Sequence, residues 1–84
     1  MSYQEGMGKN RLNAFGPVLR RLRHEKKLTQ DKLSEMVGVA SPYISMLESG
    51  RNYPSLEMLF KLMDALEIPA STFISEMEKE SQSS

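Results

Sequence analysis

Apolar residues along the chain recur with the period of an α-helix in five short segments, each bounded by glycine, proline or a capping residue. In the first segment they follow the i, i+3, i+4, i+7 spacing of one helix face at Phe15, Val18, Leu19 and Leu22. Pro17 is compatible with this helix because it lies in the first turn, where the backbone N–H has no intrahelical partner. No segment alternates apolar and polar residues with period two, so the pattern predicts an all-α protein.

The second and third helices are predicted from their capping residues. Thr29 is expected to cap the second helix, and Gly38 to end it in the left-handed conformation. Ser41 is expected to cap the third helix, with Pro42 in its first turn and Gly50 at its end. The residues expected to face the core are Leu33, Met36, Val37, Ile44 and Leu47.

Two further helices complete the pattern. Ser55 is expected to cap a fourth helix, and Pro69 to open a short fifth helix. The apolar stripe of the fourth helix is predicted to comprise Leu56, Leu59, Phe60, Met63 and Leu66. The fifth helix carries Phe73, Ile74 and Met77. Five short helices with tight connections predict a compact helical domain.

The 84 residues are enough for one small domain. Residues 1–13 are polar, contain glycine and lack periodicity, which predicts a flexible N-terminal arm. The folded domain is expected over residues 14–78, followed by a disordered tail over residues 79–84.

Several classes of protein are excluded by composition. No run approaches the roughly 18 apolar residues of a membrane helix, and no signal segment opens the chain. The chain has no cysteine and a single histidine, His24, which excludes a disulfide scaffold and a thiolate metal site. It also has no HExxH or P-loop motif, and Gly6-Met7-Gly8 lacks the third glycine of a dinucleotide-binding motif. We therefore expect a cytoplasmic protein that is not an enzyme, uses no cofactor and does not bind membranes.

The formal net charge of zero hides a difference between the two parts of the chain. Residues 9–32 contain eight Lys or Arg against two acidic residues, a local charge of +6. Residues 33–84 contain three basic and eight acidic residues, a local charge of −5. A basic segment on a neutral protein indicates an anion-binding face, with nucleic acid as the first candidate, although charged helix surfaces are also common without a ligand.

The segment TQDKLSEMVGVASPYISMLESG, residues 29–50, resembles the helix-turn-helix of the phage repressor and Cro-type family, also called the XRE family. In this resemblance Gln30 opens the first helix of the pair, Gly38 lies at the turn, and Ile44 and Leu47 anchor the second helix. The resemblance implies a compact five-helix, lambda-repressor-like DNA-binding domain. It also implies a bacterial or phage transcriptional regulator, a repressor in the first instance, similar to stand-alone regulators such as restriction–modification controller proteins.

The outward face of the third helix is the expected reader of the major groove. Its base-contacting residues are expected to be Ser41, Pro42, Ser45 and Met46. None of these can form the two-bond contacts that Arg or Gln makes with a base, so methyl contacts, water and DNA deformability gain weight. The residues expected to contact the DNA backbone are Gln30, Tyr43, Arg51 and Asn52. On the arm, Lys9 and Arg11 are further candidates for minor-groove or backbone contacts.

Two further contacts are expected. Arg23 and Glu48 should form a buried ion pair between the first and third helices, because the family pairs these two positions and an isolated inward carboxylate is costly. One recognition helix reads too few base pairs to find a genomic site, so a homodimer on near-palindromic double-stranded DNA is expected. Its interface is predicted at Phe73, Ile74 and Met77 of the fifth helix.

A second interpretation remains open. The same fold could serve as a protein-interaction or antitoxin-type module with little or no DNA binding, because its recognition face is uncharged and carries a methionine. Salt distinguishes the two, since binding to several phosphates weakens steeply as salt rises and an apolar protein contact does not. No small-molecule effector is evident, so regulation is expected to follow protein concentration and dimerisation.

Overall fold

The computed structural model describes residues 11–82, and this part of the chain contains helices and no strand, as the periodicity predicts. The helices are α1 (Phe15–Glu25), α2 (Gln30–Val37), α3 (Ser41–Glu48), α4 (Leu56–Leu66) and α5 (Ala70–Gln82). The predicted all-α fold is therefore confirmed. α1 packs against α3 and α5, and α2 packs against α3 and α4, so α3 lies against both helices that precede it.

The core lies between the apolar faces of all five helices. Eight side chains in it are essentially inaccessible to solvent: Val18, Leu19, Leu33, Ile44, Leu47, Leu62, Leu66 and Phe73. The rings of Phe15 and Phe73 join α1 to α5, with their centroids 5.2 Å apart and their planes tilted by 49°. Burial of these side chains supplies the main driving force for folding.

Most helix ends follow the predicted caps. Thr29 Oγ1 accepts a hydrogen bond from the Lys32 N–H at 3.0 Å, and Ser55 Oγ accepts one from the Met58 N–H at 3.1 Å, which confirms both N-caps. Gly38 ends α2 with a φ of +78°, as predicted. The predicted cap at Ser41 is wrong: Ala40 is the N-cap of α3, and Ser41 is its first helical residue.

Three residues predicted to face the core are exposed instead: Met36, Leu56 and Phe60. On α4 the buried row consists of Leu62, Met63 and Leu66. Leu56 and Phe60 form the neighbouring row, and their exposed fractions are 70% and 52%. α4 is therefore rotated about its axis relative to the predicted orientation. Its packing against α2 and α5 decides which row of side chains is buried.

The helical part of the chain extends beyond both predicted limits of the folded domain. Residues 11–13, expected to belong to the arm, are helical, and the Ala14 N–H donates to the Arg11 carbonyl at 3.2 Å. α5 runs to Gln82, where a tail was expected from residue 79. Its last turns are rich in Glu and Lys, which favour helix, and Lys79 lies 3.5 Å from Glu76 one turn earlier. Residues 1–10 and 83–84 lie outside the described residues.

Gly16 brings α1 and α3 into direct backbone contact. A Cβ atom at this position would overlap the carbonyl oxygen of Glu48 and lie 2.9 Å from the carbonyl oxygen of Leu47. Both partners are backbone atoms, which cannot rotate away as a side chain could. Gly16 therefore allows the first turn of α1 to press on the last turn of α3, and this contact helps to hold α3 in place.

Candidate nucleic-acid interface

α2 and α3 are joined by a tight turn over residues 38–40. The N–H groups of Gly38 and Val39 both donate to the carbonyl of Ser34, at 2.9 and 3.0 Å, and close the C-terminus of α2. Ser34 itself is buried, and its hydroxyl donates to the Asp31 carbonyl at 2.6 Å, as expected for a small polar residue in a helix. The short, hydrogen-bonded turn therefore holds the two helices in a fixed position relative to each other.

α3 has one buried face and one open face. Ile44 and Leu47 are fully buried and anchor the helix to the core. On the opposite side Pro42 and Ser45 are exposed and Met46 is 38% exposed. Two short helices joined by a tight turn, with the outer face of the second one open, form the geometry that inserts a helix into the major groove.

The open face of α3 carries no charged side chain. Ser41 is half-buried at its start, and Ser49 follows its last residue with its hydroxyl donating to the Met46 carbonyl at 3.2 Å. The serine hydroxyls of this face can donate and accept hydrogen bonds, while Pro42 and Met46 offer apolar atoms. Such a face can approach base edges and thymine methyl groups but cannot form the two-bond contacts made by Arg or Gln.

The four residues expected to contact the DNA backbone lie in different settings. Arg51 is exposed, and its N–H donates to the Met46 carbonyl at 3.0 Å immediately after Gly50 with its φ of +84°. Asn52 Oδ1 accepts from the Tyr53 N–H at 2.9 Å, which shapes the turn after α3. Tyr43 is half-buried and packs against the core. Of the two arm residues considered, Arg11 is exposed, whereas Lys9 lies outside the described residues.

Gln30 differs from this expectation because its side chain already has a partner within the protein. Its Nε2 donates to Glu48 Oε1 at 3.0 Å, so the amide connects the first residue of α2 to the last residue of α3. Its backbone N–H lies in the first turn of α2, where intrahelical partners are missing. The sequence contained no signal for the side-chain contact, because it joins residues 18 positions apart.

Arg23 and Glu48 form the expected ion pair between α1 and α3. Arg23 Nε lies 2.6 Å from Glu48 Oε2, and Arg23 Nη2 donates to Glu48 Oε1 at 3.0 Å. Arg23 Nη1 also donates to the Leu28 carbonyl at 2.7 Å. The two side chains are only 7% and 5% exposed, so the pair is desolvated and each charge depends on the other.

A second ion pair links α1 to α5 at the surface. Arg21 Nη2 donates to Glu76 Oε1 at 2.8 Å. This hydrogen bond holds the pKa of the Glu76 carboxyl below its usual value, with a further contribution from Lys79. The same contact raises the pKa of the Arg21 guanidinium. We therefore expect this contact to weaken in acid, because protonation of the Glu76 carboxyl removes the charged acceptor.

The fifth helix does not present the whole predicted dimer interface. Phe73 is fully buried and Met77 is 9% exposed, because both side chains belong to the core of their own protomer. Only Ile74 of the three is exposed, at 43%. The prediction is corrected on this point, because Phe73 and Met77 are part of the core of their own protomer.

Within residues 11–82, no group of three or more His, Asp or Glu side chains lies close enough together to hold a metal ion. None of the helices described in the structure is long and apolar enough to cross a membrane.

The arrangement of α1 to α5 is shared with known proteins. The chain is similar to the transcriptional repressor RghR of Bacillus subtilis (strain 168), with 42% identity over 59 residues that make up 69% of this chain and 44% of RghR. It therefore spans less than half the length of that relative. It is also similar to the control protein C.MunI of Mycoplasma sp, with 36% identity over 67 residues, 79% of this chain and 90% of C.MunI.

Among solved structures, the clp gene regulator ClgR of Corynebacterium glutamicum superposes with a TM-score of 0.82 and 30% identity, over 86% of this chain and 77% of ClgR. The family model described as helix-turn-helix, HTH_3, matches residues 19–73, from α1 into α5. The resemblance to the XRE family is thereby confirmed. Because the matched region includes both helices of the pair, their turn and the core residues that hold α3, this chain belongs to the helix-turn-helix family.

Proposed function

We propose that the protein binds double-stranded DNA sequence-specifically as a homodimer and regulates transcription, in the first instance as a repressor, in the cytoplasm of a bacterial or phage-infected cell. The observation that carries this proposal is the division of α3 into two faces. Ile44 and Leu47 are fully buried, while Pro42, Ser45 and Met46 face outward. A short helix anchored in this way can enter the major groove without disturbing the core.

Base recognition is assigned to Ser41, Pro42, Ser45 and Met46. The hydroxyls can bond to either donors or acceptors on base edges, and the apolar atoms of Pro42 and Met46 suit thymine methyl groups. Because contacts of this kind discriminate weakly, the operator should also be recognised through ordered water and through the ease with which its sequence deforms.

Backbone contacts are assigned to Arg51, Asn52 and Tyr43 around α3, and to the first turn of α2 at Gln30. Arg51 supplies a positive charge beside the recognition helix, and the unpaired N–H groups at the α2 N-terminus can meet a phosphate. These contacts set affinity and register, while the outward face of α3 sets preference among sequences.

The homodimer interface is assigned to the exposed apolar residues of α4 and α5 and the turn before α4. These are Tyr53, Leu56, Phe60 and Ile74, with exposed fractions of 43%, 70%, 52% and 43%. A shallow apolar groove containing Tyr53, Leu56 and Ile74 connects the two helices. Two copies would contact enough base pairs to distinguish the operator from the ~10⁶ or more competing sites in a genome. A second copy would also cover these exposed apolar side chains.

The central test is selection of bound sequences from random duplex DNA, followed by affinity measurements on the selected and a random duplex. Arg51→Ala should weaken both duplexes equally and reduce the salt slope by about one. Met46→Ala should weaken the selected duplex by ~1 kcal/mol or more and leave the random duplex almost unchanged. If Met46→Ala weakens binding to the selected and the random duplex equally, α3 does not recognise the base sequence.

The dimer has its own test, sedimentation at micromolar concentration with and without the selected duplex. Phe60→Asp should shift the protein towards monomer without unfolding it, because the side chain is exposed in the single protomer. Phe73→Asp is not a useful probe, since it would bury a charge in the core. A wild-type monomer both free and on DNA would overturn the dimer.

The same exposed residues of α4 favour one second candidate, a protein-interaction or antitoxin-type module. In that case Leu56 and Phe60 would bind a different protein, and DNA binding would be weak or missing. Salt separates the candidates, because binding that neutralises several phosphates weakens steeply between low and moderate salt.

A further inference from the structure

The helix-turn-helix pair is joined at both of its ends. At one end the turn over residues 38–40 connects α2 directly to α3. At the other end Gln30 and Glu48 are 18 positions apart in the sequence, yet Gln30 Nε2 donates to Glu48 Oε1 at 3.0 Å. Gln30 is the first residue of α2 and Glu48 is the last residue of α3, so this bond closes the end of the pair opposite the turn.

Glu48 is a well-fixed acceptor for this bond. Its carboxylate is 5% exposed and also accepts from Arg23 Nε and Nη2, at 2.6 and 3.0 Å. Arg23 is itself buried and held by the Leu28 carbonyl at 2.7 Å. The Gln30 amide is therefore held in a fixed position relative to the core, because Glu48 and Arg23 are buried and cannot move towards solvent with it.

The chemistry of this position suits glutamine. The acceptor is a buried carboxylate whose charge Arg23 already balances, so a neutral donor adds a charge-assisted hydrogen bond without adding a second positive charge. A glutamate at position 30 would place a second carboxylate beside that of Glu48, and the two would repel. An apolar residue at position 30 would leave Glu48 Oε1 without this hydrogen bond.

We infer that Gln30 is a positioning residue that sets the angle between α2 and the recognition helix α3. This inference rests on the proposed function, because the angle matters only when DNA engages both helices. With the first turn of α2 against a phosphate, the angle decides how far Ser45 and Met46 reach into the groove. Gln30 therefore affects sequence preference without touching a base.

The inference is tested with Gln30→Met, which keeps an unbranched side chain of similar length and removes the donor. Gln30 is half-buried at the surface, so the variant folds, and thermal unfolding followed by circular dichroism verifies this. Affinity for the selected duplex should fall by up to about tenfold, because the loosened helix pair must be brought to its binding angle at a cost no larger than that of one hydrogen bond to a charged group. Affinity for the random duplex should fall by a clearly smaller factor, because the phosphate contact proposed for α2 uses backbone N–H groups, which the substitution leaves in place.

Two reference variants calibrate the result. Arg51→Ala represents loss of a phosphate contact, and Met46→Ala represents loss of one base contact. Repeating the random-duplex selection with Gln30→Met separates positioning from base reading, because a changed angle weakens preference at every base pair under α3. Loss of preference at a single base pair, equal weakening of both duplexes, or unchanged binding would each overturn the inference. A wild-type protein that selects no sequence overturns the proposed function itself.

Discussion

Replacement of Gly16 by alanine is the sharpest test of how α3 is held. Gly16 is the second residue of α1, and its backbone lies against the last turn of α3. Helix propensity alone predicts that the substitution stabilises the protein, since Ala is favoured over Gly in helices by ~1 kcal/mol. The structure predicts the opposite sign, because the added methyl group would overlap the Glu48 carbonyl oxygen.

The size of the effect follows from the contacts. The Cβ atom would lie 2.8 Å from the Glu48 carbonyl carbon and 2.9 Å from the Leu47 carbonyl oxygen. α1 and α3 would have to separate by about 1 Å to restore normal van der Waals distances. Overpacking against rigid backbone falls near the upper end of the usual penalty, ~3 kcal/mol, which helix propensity reduces to about 2 kcal/mol net. For a domain of this size the loss corresponds to a fall in Tm of roughly 8–16 °C.

The assay is thermal and urea unfolding followed by far-ultraviolet circular dichroism. Gly16→Ser should lose more stability than Gly16→Ala, because the larger side chain overlaps α3 further. Gly38 provides the matched control: its φ is +78° and nothing lies within 4 Å of an added Cβ. There Gly38→Asn should lose less than Gly38→Ala, because asparagine tolerates the left-handed conformation. A Gly16→Ala variant that unfolds at or above the wild-type temperature would refute the close approach of α1 and α3.

Three further predictions concern ion pairs and a helix end. Arg23→Ala and Glu48→Ala should each lower the free energy of unfolding by about 3–5 kcal/mol in urea titrations, because each leaves a buried charge without its partner. Glu67→Gly should raise it by ~0.5–1 kcal/mol, because Glu67 ends α4 with a φ of +59° that glycine adopts without steric strain. Arg21 lowers the pKa of the Glu76 carboxyl, so the pair stabilises the fold above the unfolded pKa of that group and loses its effect as pH falls through the folded pKa. The Tm of wild type should therefore exceed that of Glu76→Gln at neutral pH, and the difference should shrink in acid.

Each of these has a control. For the buried pair, equal unfolding temperatures of wild type and both alanine variants would mean that the pair is exposed in solution. For Glu67, the replacement Glu67→Ala should not stabilise, since alanine keeps a Cβ in the left-handed conformation. For Glu76, the exposed Glu78 offers a comparison on the same helix, and a Glu78→Gln variant with the same pH profile would contradict the assignment to the Arg21 contact.

The sequence by itself determined the features that depend on neighbouring residues. The period of the apolar residues predicted helices and no strands, the hydroxyls of Thr29 and Ser55 predicted two N-caps, and Gly38 predicted the end of α2. These features are local, because a cap or a left-handed glycine is satisfied within one turn of its own helix. The spacing of residues over the helix-turn-helix also indicated the family, since it depends on positions within one short segment.

Tertiary structure decided which of several plausible faces became the buried one. On α4 the predicted stripe included Leu56 and Phe60 together with Met63 and Leu66. The neighbouring helices left the first two exposed and buried Leu62, which the predicted stripe did not contain. Phe73 was predicted to lie in the dimer interface, but its ring packs against Phe15 in the core of its own protomer. An amphipathic stripe is wider than the surface that one helix buries, so periodicity indicates a direction without deciding its edges.

The contacts that hold α3 were also decided in three dimensions. The role of Gly16 exists only because the end of α3 lies against it. Gln30 was predicted to contact the DNA backbone because of its place at a helix N-terminus, and no local pattern indicated that its side chain donates to Glu48. Such contacts join residues distant in the chain, and a single sequence carries no local pattern for them, because the energy of each contact depends on where the whole core places its two partners.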